Sequence, residues 1–472
     1  MKPKLYKLLG LTIAALALAG CASVNFDQAV NDANRAAGPF TGGKLELSRT
    51  AQQQEARAKL ATDLLLKPLS SDDAVQLALA NSPAVQTMLA QSWADMSAAN
   101  QAGRIANPIF AFERITFRDE LELGRLLSFG LLDLLTLPRR QAIAQSRMQQ
   151  SQVQLSASTV ELVTQTRLAW VRAVAASQTL QYAEQINTAA EASAELAKRM
   201  QQVGNFNKLQ RARQQVFYAD STARLAGAQH GALSAREELV RSMGLTATQA
   251  DQLKLPDRLP DLPKDARTPE LVNSTATDQR LDVQLARSQL DVAGKAQGLN
   301  LLTSVVGVDL GIRRNTVFDN GVNRAFAKRG YELDIRLPIF DWGNARRDNL
   351  SAQSLAAANR YEGTVRNATS QLRESYSAYR TAYDVARHYR DEVVPLRKTM
   401  AEENVLRYNG MLIGVFELLA DTRDQISSVV TAINAYQQFW LADAALSASM
   451  TGKPMTIMMA APAAPGSGEK PH

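Results

Sequence analysis

The sequence predicts a mixed α/β membrane protein in which long coiled-coil helices accompany four short amphipathic strands, with the whole plan running twice. Three observations carry that expectation. Segments recur at offsets of 198 to 208 residues: 81–86 (Asn-Ser-Pro-Ala-Val-Gln) against 279–284 (Gln-Arg-Leu-Asp-Val-Gln), Leu137-Pro138 against Leu337-Pro338, Gly204 against Gly410, and Gly244 against Gly452. Two stretches of nearly equal length, 138–203 and 343–409, read as long helices of about 100 Å each. Between the helices, apolar and polar residues alternate with period two, the mark of a strand with one apolar and one wet side.

The N-terminal twenty residues read as a secretory address. Lys2, Lys4 and Lys7 form a basic region, and 8–18 is an apolar run too short to span a bilayer. Leu18-Ala19-Gly20-Cys21 closes it and resembles the bacterial lipobox, in which the cysteine is lipidated and becomes the new N-terminus. Cys21 is the single cysteine, so the chain forms no internal disulfide. Ala22 in place of Asp favours, within that resemblance, delivery to the outer membrane. Cleavage before Cys21 removes three lysines and lowers the net charge from +7 to +4, mild for this length and no case for nucleic acid.

The mature chain divides into a polar tether (21–69), a first repeat (70–250), a proline-rich linker (251–269), a second repeat (270–452) and a disordered tail (453–472). Ser70, Asp72 and Asp73 cap a helix expected to run to about residue 106. Pro138 opens the first long helix, Gly204 turns the chain, and Gly244 ends the return helix. Pro256, Pro260, Pro263 and Pro269 stiffen the linker. In the second half a helix over 275–302 leads into strands, the long helix returns over 343–409, and a final helix follows Gly410. Tyr361, Tyr376, Tyr379, Tyr383 and Tyr389 lie on a seam stepping by three or four residues, near the coiled-coil period. Pro395, inside the second long helix, predicts a kink that acts as a hinge or a static bend.

The strands carry the sharper expectation. Val306, Val308, Leu310 and Ile312 alternate with Gly307, Asp309, Gly311 and Arg313; Tyr331, Leu333, Ile335, Leu337 and Ile339 alternate with Glu332, Asp334 and Arg336. First-half counterparts are expected at 109–117 and 121–137. Four strands cannot close a barrel, and an open edge in lipid leaves unpaired backbone groups at several kcal/mol each. Such strands require oligomerisation: two chains supply eight, three supply twelve, and a lumen wide enough for a solute favours three.

At this point the residues are similar to the TolC-like outer-membrane efflux proteins, over nearly all of 70–452. The marks are Leu77-Ala78-Leu79-Ala80-Asn81-Ser82-Pro83, Leu337-Pro338-Ile339-Phe340-Asp341-Trp342-Gly343, and two glycine turns, Gly204-Asn205-Phe206-Asn207-Lys208-Leu209 and Arg407-Tyr408-Asn409-Gly410-Met411-Leu412. The resemblance implies a homotrimer sharing one 12-stranded barrel in outer-membrane lipid, with a helical tube in the periplasm. It implies a periplasmic adaptor and an inner-membrane pump as partners, and no cofactor. The glycine turns would then form the aperture and adaptor-docking tip, with Gly204, Lys208, Tyr408, Gly410, Glu417 and Asp421 as its residues. The family often has an acid six residues after the turn glycine. Here Phe416 stands at that position and Glu417 follows; the second acid falls on Ala420, with Asp421 beside it. Glu417 and Asp421 either form an anionic ring favouring cations or are solvated charges pairing with Arg423 or Lys208. Tyr408 either latches the tip or packs.

An enzyme has little to stand on: His230, His388 and His472 are the three histidines, and no nucleophile, phosphate-loop or metal-spaced motif occurs. The serious alternative is a periplasmic coiled-coil adaptor or structural lipoprotein, which would not carry four amphipathic strands. Met450, Met455, Met458 and Met459 suggest Cu(I) export through their soft thioethers, against loose methionines in a free tail. Drugs, metal ions or small organic molecules all remain open as cargo.

Overall fold

The structure, a computed structural model, describes residues 25–269, 277–303, 307–319, 324–337, 339, 340 and 342–455. Cys21, Pro338, Asp341, Met458 and Met459 lie outside them. The described residues fall into two compact units, one with those of 90–155 and 282–366, the other with those of 30–89, 156–281 and 367–455.

In the first unit the sequence builds a sheet flanked by helix segments. The 20-residue helix Pro83–Ala102 (α4) leads into β1 (Ile109–Phe117) and β2 (Glu120–Gly130). The 23-residue helix Leu281–Thr303 (α8) leads into β3 (Gly307–Asp319) and β4 (Arg324–Arg336). The strands pair antiparallel in the order β1-β2-β3-β4, so β2 and β3, almost two hundred residues apart, form the central ladder. Polar ties hold the helices below the sheet. Lys295 Nζ donates to Asp291 and to Ser146 Oγ, each at 2.7 Å, and Ser146 donates to Asp291 at 2.7 Å, joining α8 to the long helix Leu131–Gln202 (α5). Arg140 on α5 donates to the carbonyls of Ala102, the last residue of α4, and of Arg104 just beyond it.

The second unit is helical. The segment expected as a tether forms two helices, α1 (Phe26–Thr41) and α2 (Ala51–Leu65). Its sparse apolar residues are the ones that pack: Val30, Ala33, Leu45, Leu64 and Leu65 are buried. The expected single helix over 70–106 is two, α3 (Ser71–Asn81) and α4. Pro83 forces Ser82 into extended backbone (φ −66°, ψ 126°), which breaks the run. Ser70 caps α3 reciprocally with Asp73. Partial burial pushes the Asp73 carboxyl up, yet hydrogen bonds from Ser70 and Lys67 outweigh it and hold it below its ordinary value.

The first long helix begins earlier than Pro138. It starts at Leu131 and runs 72 residues, about 108 Å. Pro138 sits inside it as the eighth residue, where it withholds the N–H that would reach the Leu134 carbonyl; the strand expected to reach 137 stops at Gly130. The return helix α6 (Lys208–Met243) is capped by Asn207 and ends at Gly244 in the left-handed conformation, and a short α7 (Ala247–Gln252) follows. The second long helix is interrupted: α9 (Asn344–His388), a π-helical turn Tyr389–Val393, then α10 (Val394–Asn409). Pro395 has no N–H to give, and Val394 N–H reaches back five residues to the Tyr389 carbonyl. The register shift absorbs the proline next to the turn it causes. The last helix, α11 (Val415–Thr451), ends on Gly452 (φ 93°).

The core of this unit gathers Leu64, Leu77, Trp170, Leu239, Met243 and Ile433, with Trp170 Nε1 donating to the Leu69 carbonyl at 2.8 Å. A second cluster forms where the tyrosine seam meets α11: Tyr379 and Tyr383 pack on Phe439, with ring centroids 5.6 and 5.7 Å apart. Their hydroxyls strap down the proline-rich segment. Tyr383 donates to the Lys264 carbonyl at 2.8 Å, Tyr376 donates to the Arg267 carbonyl, Tyr379 accepts from the Arg267 N–H, and Trp440 Nε1 donates to the Pro260 carbonyl. Arg267 also pairs with Asp443 at 2.9 Å. Burial pushes the Asp443 carboxyl up, and Arg267 and Arg167 oppose it. The C-terminal segment is not loose at its start: Lys453 pairs with Glu161 at 2.9 Å and Met455 packs against the first core.

Gly244 gives a direct test. Its φ is +66°, and a Cβ there would stand 2.5 Å from Pro83 Cδ and 2.7 Å from Ser82 Cα. Gly244→Ala is expected to destabilise by about 1–3 kcal/mol, while Gly227→Ala, in open space on α6, is expected to stabilise by about 0.5–1 kcal/mol. Thermal unfolding in detergent checks both; equal midpoints for the two variants would refute the account.

Candidate functional site

Two regions concentrate features that packing does not explain: the sheet of the first unit and the turn cluster of the second. The register assigns every strand residue to a face. Glu113, Gly124, Asn315 and Lys328 stand opposite one another in a row across the four strands, so their side chains share a face. With them lie Glu120, Glu122, Arg313 and Glu332, and on the edge strand β1 the exposed Ile109, Ile115 and Phe117. This face is laced with charge pairs: Arg313 with Glu113 and with Glu332 at 3.3 Å, Lys328 with Glu122 at 3.6 Å, and Asn315 donating to Glu122. The opposite face carries Phe110, Phe112, Leu127, Ile312, Tyr331 and Leu333, all exposed, Tyr331 by 86%. Strands with one ion-paired face and one exposed apolar face are the pattern of a wall between water and lipid. β1 and β4 stand at the two open edges of this sheet. No helix among the described residues is long and apolar enough to cross a membrane, a fact that leaves strands untouched.

The turn cluster brings the two expected tip segments together. Gly204 takes φ +82°, and Asn207 opens α6 through a reciprocal cap with Gln210. The second turn works differently. Gly410 has φ −80°, open to any residue, and the left-handed position falls on Met411 (φ 58°). The two turns expected as equivalents thus differ in where the chain needs its special conformation. Gly414 precedes α11 without a side-chain cap, and Glu417 stands in the first turn, where a carboxylate complements the helix dipole. Phe416 stacks on Phe206 with centroids 4.4 Å apart, joining one turn to the other. One helical turn on from Glu417, Asp421 is half-buried and its Oδ2 has no hydrogen-bond partner among the described residues. The expected partners do not meet it. Arg423 lies over the Phe217 ring at 4.6 Å and 3.9 Å from Asp424, and Lys208 is exposed at the start of α6. Tyr408 is exposed near the end of α10; its carbonyl, not its hydroxyl, serves the turn by accepting from Met411 N–H at 2.9 Å. Pro395 lies beyond this cluster, a helical stretch back along α10.

Sequence reasoning missed the Phe206–Phe416 pair, whose signal was the phenylalanine standing where an acid was expected. His388 pairs with Glu392 at 3.3 Å on an exposed helix face, and among the described residues no group of three metal-ligating side chains occurs.

The aromatic pair generates a measurement. A double-mutant cycle of Phe206→Leu and Phe416→Leu, read by hydrogen exchange at the ends of α6 and α11, is expected to return a coupling of about 0.5–1.5 kcal/mol. Strictly additive effects would mean the rings touch without holding the turns.

No family model matches the sequence, and no curated protein matches it. Solved structures do. A membrane protein from Pseudomonas aeruginosa aligns at 18% identity over 80% of this chain and 93% of its own, with a TM-score of 0.65. The CmeC outer membrane channel of Campylobacter jejuni aligns at 12% identity over 87% and 89%, TM-score 0.65. The outer-membrane channel OprN aligns at 17% identity over 86% and 94%, TM-score 0.64. A four-stranded sheet with an apolar and an ion-paired face, two helix-turn-helix tips, and this agreement along most of both chains give one result: the protein has the TolC-like fold of outer-membrane channels.

Proposed function

We propose that this chain is the outer-membrane exit duct of a tripartite efflux system, a passive channel with no chemistry of its own. The observation that carries the reading is the sheet: an apolar exposed face, an ion-paired face, and two open edges that no lipid can satisfy. Three copies would join β1 of one chain to β4 of the next and close a 12-stranded barrel, the ion-paired face turned to the lumen. The recurrence of helix, two strands, long helix and helix in both halves of the element order supports an internal duplication. Lipidation of Cys21 would anchor the chain to the same membrane. The turn cluster would face the periplasm and dock an adaptor coupled to an inner-membrane pump, which supplies the energy. Asp421, half-buried with an unsatisfied carboxylate oxygen, fits a place where a neighbouring protomer or passing cations complete its surroundings, and Glu417 would widen that anionic ring. Pro395 and the π turn would let α10 bend as the aperture opens. The cargo is a small solute, a drug or a metal ion.

Two outcomes test this. Light scattering of the detergent-solubilised protein, with detergent mass subtracted, is expected to give three chain masses; a monomer would leave the strands unable to close and hand the chain to the adaptor or structural-lipoprotein reading. In planar bilayers Asp421→Asn with Glu417→Gln is expected to lower cation-over-anion permeability several-fold, and an unchanged ratio would remove these acids from the aperture.

A further inference from the structure

One face of the sheet carries cations with nothing to balance them. Arg125 on β2 stands directly opposite Arg314 on β3, and Arg314 directly opposite Arg329 on β4. Three guanidinium groups thus form a single row across three strands, on the apolar face. Arg114, on the edge strand β1, lies diagonal to the row, two residues past Phe112, which faces Arg125. The register places no Asp or Glu on this face in any of the four strands. The contrast with the other face is sharp. One register step away, Arg313 and Lys328 are each held by carboxylates.

Like charges directly opposite one another in a sheet repel and destabilise it. No carboxylate lies within ion-pair distance of Arg125, Arg314 or Arg329 among the described residues. Arg314 and Arg329 are exposed. Arg125 donates one hydrogen bond, to Thr316 Oγ1 at 2.6 Å, while its Nε is buried without a partner. A row of this kind suits an anion from outside the chain.

Its height on the sheet says which anion. All four helix connections leave one end of the sheet, and the two hairpin turns lie at the other. Each row arginine stands five residues from the hairpin end of its strand: Arg125 from Glu120, Arg314 from Asp319, Arg329 from Arg324. Towards the helices the same face runs apolar through Tyr331, Leu333, Ile335 and Leu337; towards the hairpins it is mixed, with Thr316, Ala325 and Ala327 beside Leu121, Leu123 and Phe318. Eight residues separate Arg329 from Leu337, about 26 Å of strand and about 20 Å of depth at a tilt near 40°, most of the apolar band of about 25 Å. Arginine is costly at the midplane of such a band and nearly free at its rim, where it snorkels toward the headgroups.

We propose that the Arg125–Arg314–Arg329 row is a binding site for the phosphate of a lipid headgroup in the leaflet nearest the hairpins. The guanidinium fork matches phosphate geometry bidentately, and three forks in register would hold a phosphate-bearing headgroup against the outside of the barrel. The site rests on the exit-duct reading, because it needs the apolar face to meet lipid.

The test uses the full-length protein reconstituted in phosphatidylcholine vesicles with a trace of spin-labelled phosphatidic acid or spin-labelled phosphatidylcholine. Electron paramagnetic resonance separates lipid restricted by the protein from bulk lipid. The wild type is expected to prefer phosphatidic acid by about fivefold or more, and the variant R125Q/R314Q/R329Q to show no preference. If the triple variant does not assemble, R314Q/R329Q keeps the test open, since both side chains are exposed; its preference should fall by at least half. Equal restriction of both lipids by the wild type, or an undiminished preference in the variants, overturns the site. Loss of the preference on adding millimolar inorganic phosphate at constant ionic strength also overturns it, by showing a site for free anions. No restricted component for either lipid is a different failure: the sheet then does not face lipid, and the duct reading falls with it.

Discussion

Backbone pairing in the four-stranded sheet is the constraint from which most of this molecule follows. Each strand interior to the sheet spends its N–H and C=O groups on two neighbours, but β1 and β4 spend theirs on one. In water an open edge is a nuisance managed with charge or cover. Beside an apolar face as exposed as that of Phe110, Phe112, Tyr331 and Leu333, water is not the expected neighbour, and unpaired groups then cost several kcal/mol each. On the exit-duct reading, a chain that carries such a sheet would be incomplete by itself. The ion pairs of the other face fit the same logic, because Arg313 and Lys328 with their carboxylates are content beside water and would not be content in lipid.

The helical unit answers a different demand, that of keeping very long helices in place with little bulk. Many of its buried residues are alanine, which lets backbones approach closely but gives little area per residue. Directional bonds supply what area does not. Tyr376, Tyr379 and Tyr383 turn a coiled-coil seam into a set of hydrogen-bonding posts for the 260–267 segment, and Arg267 ties that segment to Asp443. The prolines of this segment leave carbonyls without competing N–H donors, so those carbonyls are available to the tyrosine hydroxyls. The linker thereby becomes part of the core.

Legibility in the sequence followed the strength of each local signal. The second-half strands were visible because charged and apolar residues alternate strictly through 307–313 and 331–336; their hairpin ends, where Asn315, Thr316 and Ala325 blur the alternation, were not. The 121–137 segment misled because leucine satisfies a strand and a helix equally, and only Gly130 marks the change. The long helices read correctly as helical, yet the π turn at Tyr389–Val393 has no signature beyond the proline two residues later. At the turn cluster, the sequence placed Gly204, Gly410, Glu417 and Asp421 together and left two alternatives for the acids, a free anionic ring or pairing with Arg423 or Lys208. Arg423 lies 3.9 Å from the neighbouring Asp424 and over the ring of Phe217, distant in sequence, and not beside Asp421. The arginine row was illegible for a related reason. Arg125, Arg314 and Arg329 become a row only when the register is known, and register is set by pairing across the whole sheet.

The phenylalanine at 416 shows how such a departure can be read once the geometry is known. An acid at that position would face Phe206 across a gap where the two rings now stand 4.4 Å apart, and would bring a charge into a spot that buries apolar surface. With the acid one residue later, Glu417 falls in the first turn of α11, where the uncapped Gly414 leaves N–H groups for a carboxylate to complement. One shift therefore does two things: it stabilises a helix start that has no side-chain cap, and it frees the preceding position for an aromatic clasp between the turns. On the exit-duct reading, the tip of this chain would be held within each protomer by an apolar contact that salt does not screen. The charges that remain, Glu417 and Asp421, would then be free to act on what passes or docks rather than on the closure of the turns themselves.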